Sequence, residues 1–102
     1  MKKVNWKKLY KRIPKSFNIG KKEFKVYWLN EFPDKKQVGE SDWNNKLMQL
    51  KRDETYKDTV HTYIHECLHL FSDEFEIKLS EKQVQGLEKT LKYWVESGNI
   101  FK

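Results

Sequence analysis

The sequence predicts an α+β domain: a short N-terminal helix, a small antiparallel sheet of about three strands, and two C-terminal helices packed on that sheet. Three observations carry this prediction. Apolar residues recur at helical spacing over residues 55–72 and again over 81–97. Between them and the N-terminus, residues 16–30 hold two apolar-rich runs flanking Gly20-Lys21-Lys22, the pattern of a hairpin. The chain is 102 residues long, near the common size of one domain, and its four Trp, five Tyr and six Phe supply a small core.

Residues 5–13 begin the series. Trp6, Leu9, Tyr10 and Ile13 follow the spacing of one helix face, Asn5 caps the start and Pro14 ends it, while Lys7, Lys8, Lys11 and Arg12 fill the other side. Phe17 and Ile19 then lead into the turn, and Phe24 to Leu29 runs on as a strand with Phe24, Val26 and Trp28 on one face. Tyr27 and Leu29 make the opposite face partly apolar, so this strand is expected inside its sheet rather than at an edge. Residues 31–45 read as a loop, marked by Pro33-Asp34 and Gly39, and a third strand is expected at 46–52 with Met48 and Leu50 pointing one way.

The helix over 55–72 follows an acidic start, Asp53-Glu54. Its stripe is Val60, Ile64, Cys67, Leu68 and Phe71, widened by Tyr56, Tyr63 and Leu70, as expected of a helix covered on much of its surface. His61, His65 and His69 form a drifting row beside that stripe. The last helix opens on a capping box, Ser80 with Gln83, and Gly98-Asn99 suits its end. Val84, Leu87, Leu91, Trp94 and Val95 form its stripe.

Charge is unevenly placed. Residues 1–30 hold ten Lys/Arg and one acid (Glu23), a net +9, against −3 over residues 31–102. A basic front on an acidic body points to nucleic acid or an acidic partner. Cys67 is the single cysteine, so no internal disulfide forms. No apolar run follows the basic N-terminus and no stretch reaches the length of a membrane span, so a soluble, cytoplasmic protein is expected.

Residues 65–69 read His-Glu-Cys-Leu-His, an H-E-x-x-H match within the stronger helix. Two imidazoles one turn apart can share one Zn2+ ion, and Glu66 between them can serve as general base toward a water on that ion. His61 lies eight residues from His69, about 12 Å along a helix axis, too far to share the ion with it. Cys67 falls on the apolar stripe and reads as a small core residue. A third ligand is expected from the last helix, where Glu81, Gln85 and Glu88 flank the stripe. Glu88, nearest the stripe, is the favoured ligand. Glu81 is the alternative, since an acid in a first helical turn is already accounted for by the helix dipole.

The arrangement resembles the small, minimal zincin-like proteins of phages and prophages, distant relatives of the ImmA/IrrE-type metallopeptidases. The resemblance covers about residues 16–98. It rests on Ile19 to Val26, on Val38-Gly39-Glu40-Ser41-Asp42, on Thr59 to Leu70 around the motif, and on Leu79-Ser80-Glu81. It implies one zincin-like domain over 1–102, with residues 1–15 as a basic helical extension outside the shared pattern. It also implies a zinc-dependent metallohydrolase, a small intracellular metallopeptidase acting on a protein or peptide, in a host cell if phage-encoded. Gln85 stands where members of that family often carry a ligating Glu, which leaves the third ligand to Glu88 or Glu81. The alternative expectation is a zincin-fold binding protein that inhibits a host protein or binds nucleic acid through its basic N-terminal face.

Overall fold

The computed structural model describes the backbone of residues 4–96 and the side chains of residues 4–91. Its elements are α1 (Trp6–Lys11), β1 (Ser16–Ile19), β2 (Lys22–Leu29), β3 (Gly39–Asp42), β4 (Leu47–Lys51), α2 (Tyr56–Glu74) and α3 (Glu81–Glu96). The α+β class and the order of helix, strands, helix, helix are as the sequence predicts. Asn5 caps α1, its side chain accepting from the Lys8 N–H at 3.0 Å. Trp94, Val95 and the Gly98-Asn99 stop fall outside the described side chains or backbone.

Two features of the sheet differ from expectation. There are four strands, in the order β1-β2-β4-β3, and β2 pairs with β4 in parallel. The extra strand comes from the segment read as a loop. Gly39–Asp42 has poor strand propensity, but Asp42 starts a tight turn: its carboxylate accepts from the Asn45 N–H at 3.0 Å and from the Asn45 side-chain amide at 2.8 Å. Lys46, at φ 55°, completes the reversal. The resulting hairpin lays β3 at the edge and places β4 beside β2. The chain has then reversed twice since β2, so β2 and β4 run the same way.

One sheet face is covered by α1 and α2. Phe24, Val26, Met48 and Leu50 point to that face and, with Ile19 and Leu70, form the core, with Trp28, Tyr63 and Cys67 packed against it. Full burial of a residue such as Phe24 contributes about 1.5–3 kcal/mol. As expected, β2 is internal, and Tyr27 on its other face is exposed.

The buried side of α2 is rotated from the predicted stripe. Val60, Tyr63, Cys67 and Leu70 meet the core, whereas Phe71 and Tyr56 are exposed. At 100° per residue this moves the centre of the stripe by about 60°. The sheet sets the angle, because the driest position on the helix's second half is Leu70, which belongs to one core cluster with the sheet residues Phe24, Val26, Met48 and Leu50. Tyr56 instead meets Tyr10 of α1 at a tilt of 52°, ring centroids 4.9 Å apart. Among the described residues, no helix is long and apolar enough to cross a membrane.

Candidate metal centre

The rotation of α2 decides where the motif goes. With Val60, Tyr63, Cys67 and Leu70 toward the sheet, His65 lies about 180° and His69 about 140° from that stripe. Both rings therefore point away from the core, toward α3. The connection between the two helices is short and tightly bonded. The Ser72 hydroxyl, buried at the end of α2, accepts from the Leu79 N–H at 2.8 Å, and the Ser72 carbonyl accepts from the Ile77 N–H at 3.0 Å. Glu76 and Lys78 take positive φ to complete the turn. The predicted capping box then starts α3: the Ser80 N–H donates to Gln83 Oε1 at 2.8 Å, and the Gln83 N–H donates to Ser80 Oγ at 3.1 Å.

This geometry brings the first turn of α3 onto the histidines. His65 Nε2 lies 2.8 Å from Glu81 Oε1, and His69 Nε2 lies 3.0 Å from Glu81 Oε2. The two Nε2 atoms are 3.2 Å apart. Two ring nitrogens that close, facing the two oxygens of one carboxylate, can each donate to Glu81 through an Nε2–H or, with both nitrogens unprotonated, turn their lone pairs on one metal ion. Donors 2.0–2.1 Å from a tetrahedral ion stand about 3.3 Å from each other, so the spacing fits a small cation with little rearrangement. His65, His69 and Glu81 together form a group that could hold a metal ion.

Glu88 takes a different place from the one favoured by sequence. Its Oε2 lies 3.4 Å from His65 Nδ1, on the opposite side of the ring from Glu81. Two helical turns separate Glu81 from Glu88, about 10 Å of rise, so both cannot reach one ion. Glu88 is therefore not a member of the donor group. It is placed to orient His65 through the ring's other nitrogen. Gln85 is exposed.

Glu66 is 8 % exposed, drier than either histidine. Burial pushes its carboxyl above the usual carboxylate range, while His65, His69 and the Ser41 hydroxyl pull the other way. Its lid is β3. A Cβ added to Gly39 would lie 3.2 Å from Glu66 Oε2 and 3.3 Å from Glu66 Cγ, and would collide with the Thr62 methyl. Gly39 thus lets the sheet edge close over the motif helix.

The remaining candidates read as expected from spacing. His61 is outside the donor group and its ring meets Trp6 edge-on at 5.0 Å. Cys67 packs on the core, and burial pushes its thiol up to about 12. A cleft of about 360 Å³ is lined by Val38, Glu54, Asp58, His61, Thr62 and Glu88, and none of the three donors lines it.

The sequence ranks Glu81 second to Glu88, because helix polarity already explains an acid in the first turn. One signal was available: a connection of about six residues makes the helices antiparallel neighbours, so the first turn of α3 must face the last turns of α2. Gly39 and Ser41 carry no such signal. Comparison with protein-family models, with curated proteins and with solved structures finds no match.

Proposed function

We propose that this chain is a zinc-dependent hydrolase, a small peptidase that cleaves a protein or peptide partner, with a zincin-like site. The observation that carries the reading is the convergence of His65, His69 and Glu81 beside a buried Glu66. Two imidazoles and one carboxylate are a donor set typical of catalytic zinc, leaving a position for water. Zinc held there supplies Lewis acidity and lowers the pKa of water it binds. Its ligands are His65, His69 and Glu81, with Glu88 fixing the ring of His65.

Glu66 does the proton work. As a carboxylate it accepts a proton from the attacking water, and it passes that proton to the amine that leaves when the C–N bond breaks. Its partial desolvation by β3 raises its basicity, which suits that role. β3 is an edge strand, the place where an extended peptide would add to the sheet. Gly39 and Ser41 on that strand border Glu66, so a peptide paired there passes next to the site.

Metal content and cleavage are tested separately. Protein purified at neutral pH without chelator is expected to hold close to one zinc, and added zinc to raise the Tm of the stripped protein. Glu66→Gln is expected to keep the zinc and lose about 10²–10⁴ of peptide cleavage, followed by mass spectrometry on a mixed peptide library. Protein that binds no zinc and gains no thermal stability from it refutes the metal centre. A zinc-loaded chain whose products match those of Glu66→Gln refutes the hydrolase.

A further inference from the structure

The two sides of α1 do opposite things. At 100° per residue, Trp6, Leu9, Tyr10 and Ile13 fall within an arc of about 100°, and Lys7, Lys8, Lys11 and Arg12 within a separate arc of about 140°. The apolar arc is turned to the body. Trp6 meets His61, Tyr10 lies 5.6 Å from Trp28 and 4.9 Å from Tyr56, and Leu9 and Ile13 adjoin Val60 and Tyr63. The four cations and Lys15 beyond them are all exposed. None of the five forms an ion pair among the described residues. No acid precedes Glu23 in the sequence to neutralise them. Asn5, Lys7, Lys8, Lys11 and Arg12 also line a shallow concavity of about 430 Å³.

We propose that this face binds duplex nucleic acid through the phosphate backbone, without reading sequence. The proposal is independent of whether the metal centre turns over. Three properties of the surface select this partner. Lysine is depleted and aromatic side chains enriched at the core of protein–protein interfaces, whereas the outward arc of α1 presents four cations and no apolar anchor. Single strands are held by base stacking on aromatic rings, yet Trp6 and Tyr10 are both spent on internal contacts. Insertion at a membrane surface needs an apolar face toward the lipid, and that face of α1 is covered by α2 and Trp28. What remains is evenly spread positive charge on long side chains. Lys7 with Lys11, and Lys8 with Arg12, form two rows whose members stand about 6 Å apart along the axis, within reach of neighbouring phosphates.

The expected signature is ionic. Five cations on five phosphates give a slope of log Kobs on log salt of about −4.5, so affinity falls roughly 500-fold between 50 and 200 mM salt. The test is fluorescence anisotropy of the full chain with two unrelated duplexes of about twenty base pairs. It is repeated with one of the single strands, with polyglutamate, and with anionic phosphatidylserine vesicles.

Substituting Lys7, Lys8, Lys11 and Arg12 together by Gln should reduce the slope by about 3.6 and nearly abolish binding at 200 mM salt. Lys35, Lys36, Lys78 and Lys89, exposed elsewhere, give a control of equal charge change that should leave the slope in place. Should the fourfold variant not fold, Lys8→Gln and Lys11→Gln singly should each lower the slope by about 0.9. Equal affinity for both duplexes, with these slopes, supports the proposal. Absence of duplex binding at 50 mM salt overturns it. So does a slope insensitive to the α1 substitutions, or tighter binding to the single strand, the polyglutamate or the vesicles.

Discussion

Replacing Gly39 by Ala tests how tightly the sheet edge is closed on the motif helix. The φ of Gly39 is not in the left-handed region, so the backbone itself accepts alanine. The cost comes from what the new methyl meets. It would overlap the Thr62 methyl and press on Glu66 at 3.2 and 3.3 Å. Thr62 cannot easily turn aside, because its hydroxyl donates to the Asp58 carbonyl at 2.9 Å and fixes the rotamer. Overpacking of this kind costs about 1–3 kcal/mol. For a domain of this size that corresponds to a fall in Tm of about 4–8 °C per kcal/mol. Thr62→Ser keeps the hydroxyl bond and removes the obstructing methyl, so it should restore most of the loss in the double variant. The two substitutions should then couple by about 0.5–3 kcal/mol in a urea double-mutant cycle. If Gly39→Ala is neutral, or if Thr62→Ser gives no rescue, β3 does not close on α2 as described and the desolvation of Glu66 needs another cause.

Three further outcomes follow from the same contacts. Isothermal titration with zinc should rank the acids of α3: Glu81→Ala loses a donor and binds most weakly, Glu88→Ala loses about 10–100-fold through the slackened His65 ring, and Gln85→Ala is unchanged. Ser80→Ala removes one half of the capping box, should cost about 1 kcal/mol by urea denaturation, and should also weaken zinc binding, because the cap sets the first turn that carries Glu81. Glu74 accepts from the Trp43 indole at 2.8 Å and from Lys22 at 3.0 Å, and these bonds hold its carboxyl below its ordinary value of 4.5. A folded-state value below the unfolded one stabilises the fold above about pH 4.5, and this contribution is lost as pH falls through the lower folded value. The stability gap between wild type and Glu74→Gln should therefore be open at pH 7 and close in acid, and a gap independent of pH would contradict the assignment.

Much of this architecture is readable from residue pattern, and the exceptions have physical reasons. The caps Asn5 and Ser80 are local, and each forms the bond its sequence announces. Alternation in Phe24, Val26 and Trp28 reports its face correctly, since a strand with one covered side has no other way to bury them. β3 was not readable, because Gly39–Asp42 lacks strand-forming side chains and pairs only after the turn at Asp42–Asn45 brings it beside β4. The parallel pairing of β2 with β4 depends on that same hairpin. The angular error on α2 arose because Ile64, Leu68 and Phe71 count as apolar whichever element covers them. The donor set shifted from Glu88 to Glu81 for a related reason: closeness to the apolar stripe measures burial, whereas ligation depends on which turn of α3 reaches the histidines.

The orientation of α2 also explains why one motif can give two wet imidazoles and one dry carboxylate. Residue 66 is one step, 100°, from residue 65. With His65 about 180° from the sheet-facing stripe, that step returns Glu66 to about 80° from it. This is the flank of the helix, and β3 lies against it, bringing Gly39 and Ser41 to the carboxylate. His69, a further three residues on, returns to the outer side, where α3 supplies Glu81. The separation of environments is thus set by the angle at which Tyr63, Cys67 and Leu70 seat the helix on the sheet, so the core packing of α2 is also what divides a donor group near solvent from a carboxylate kept apart from it.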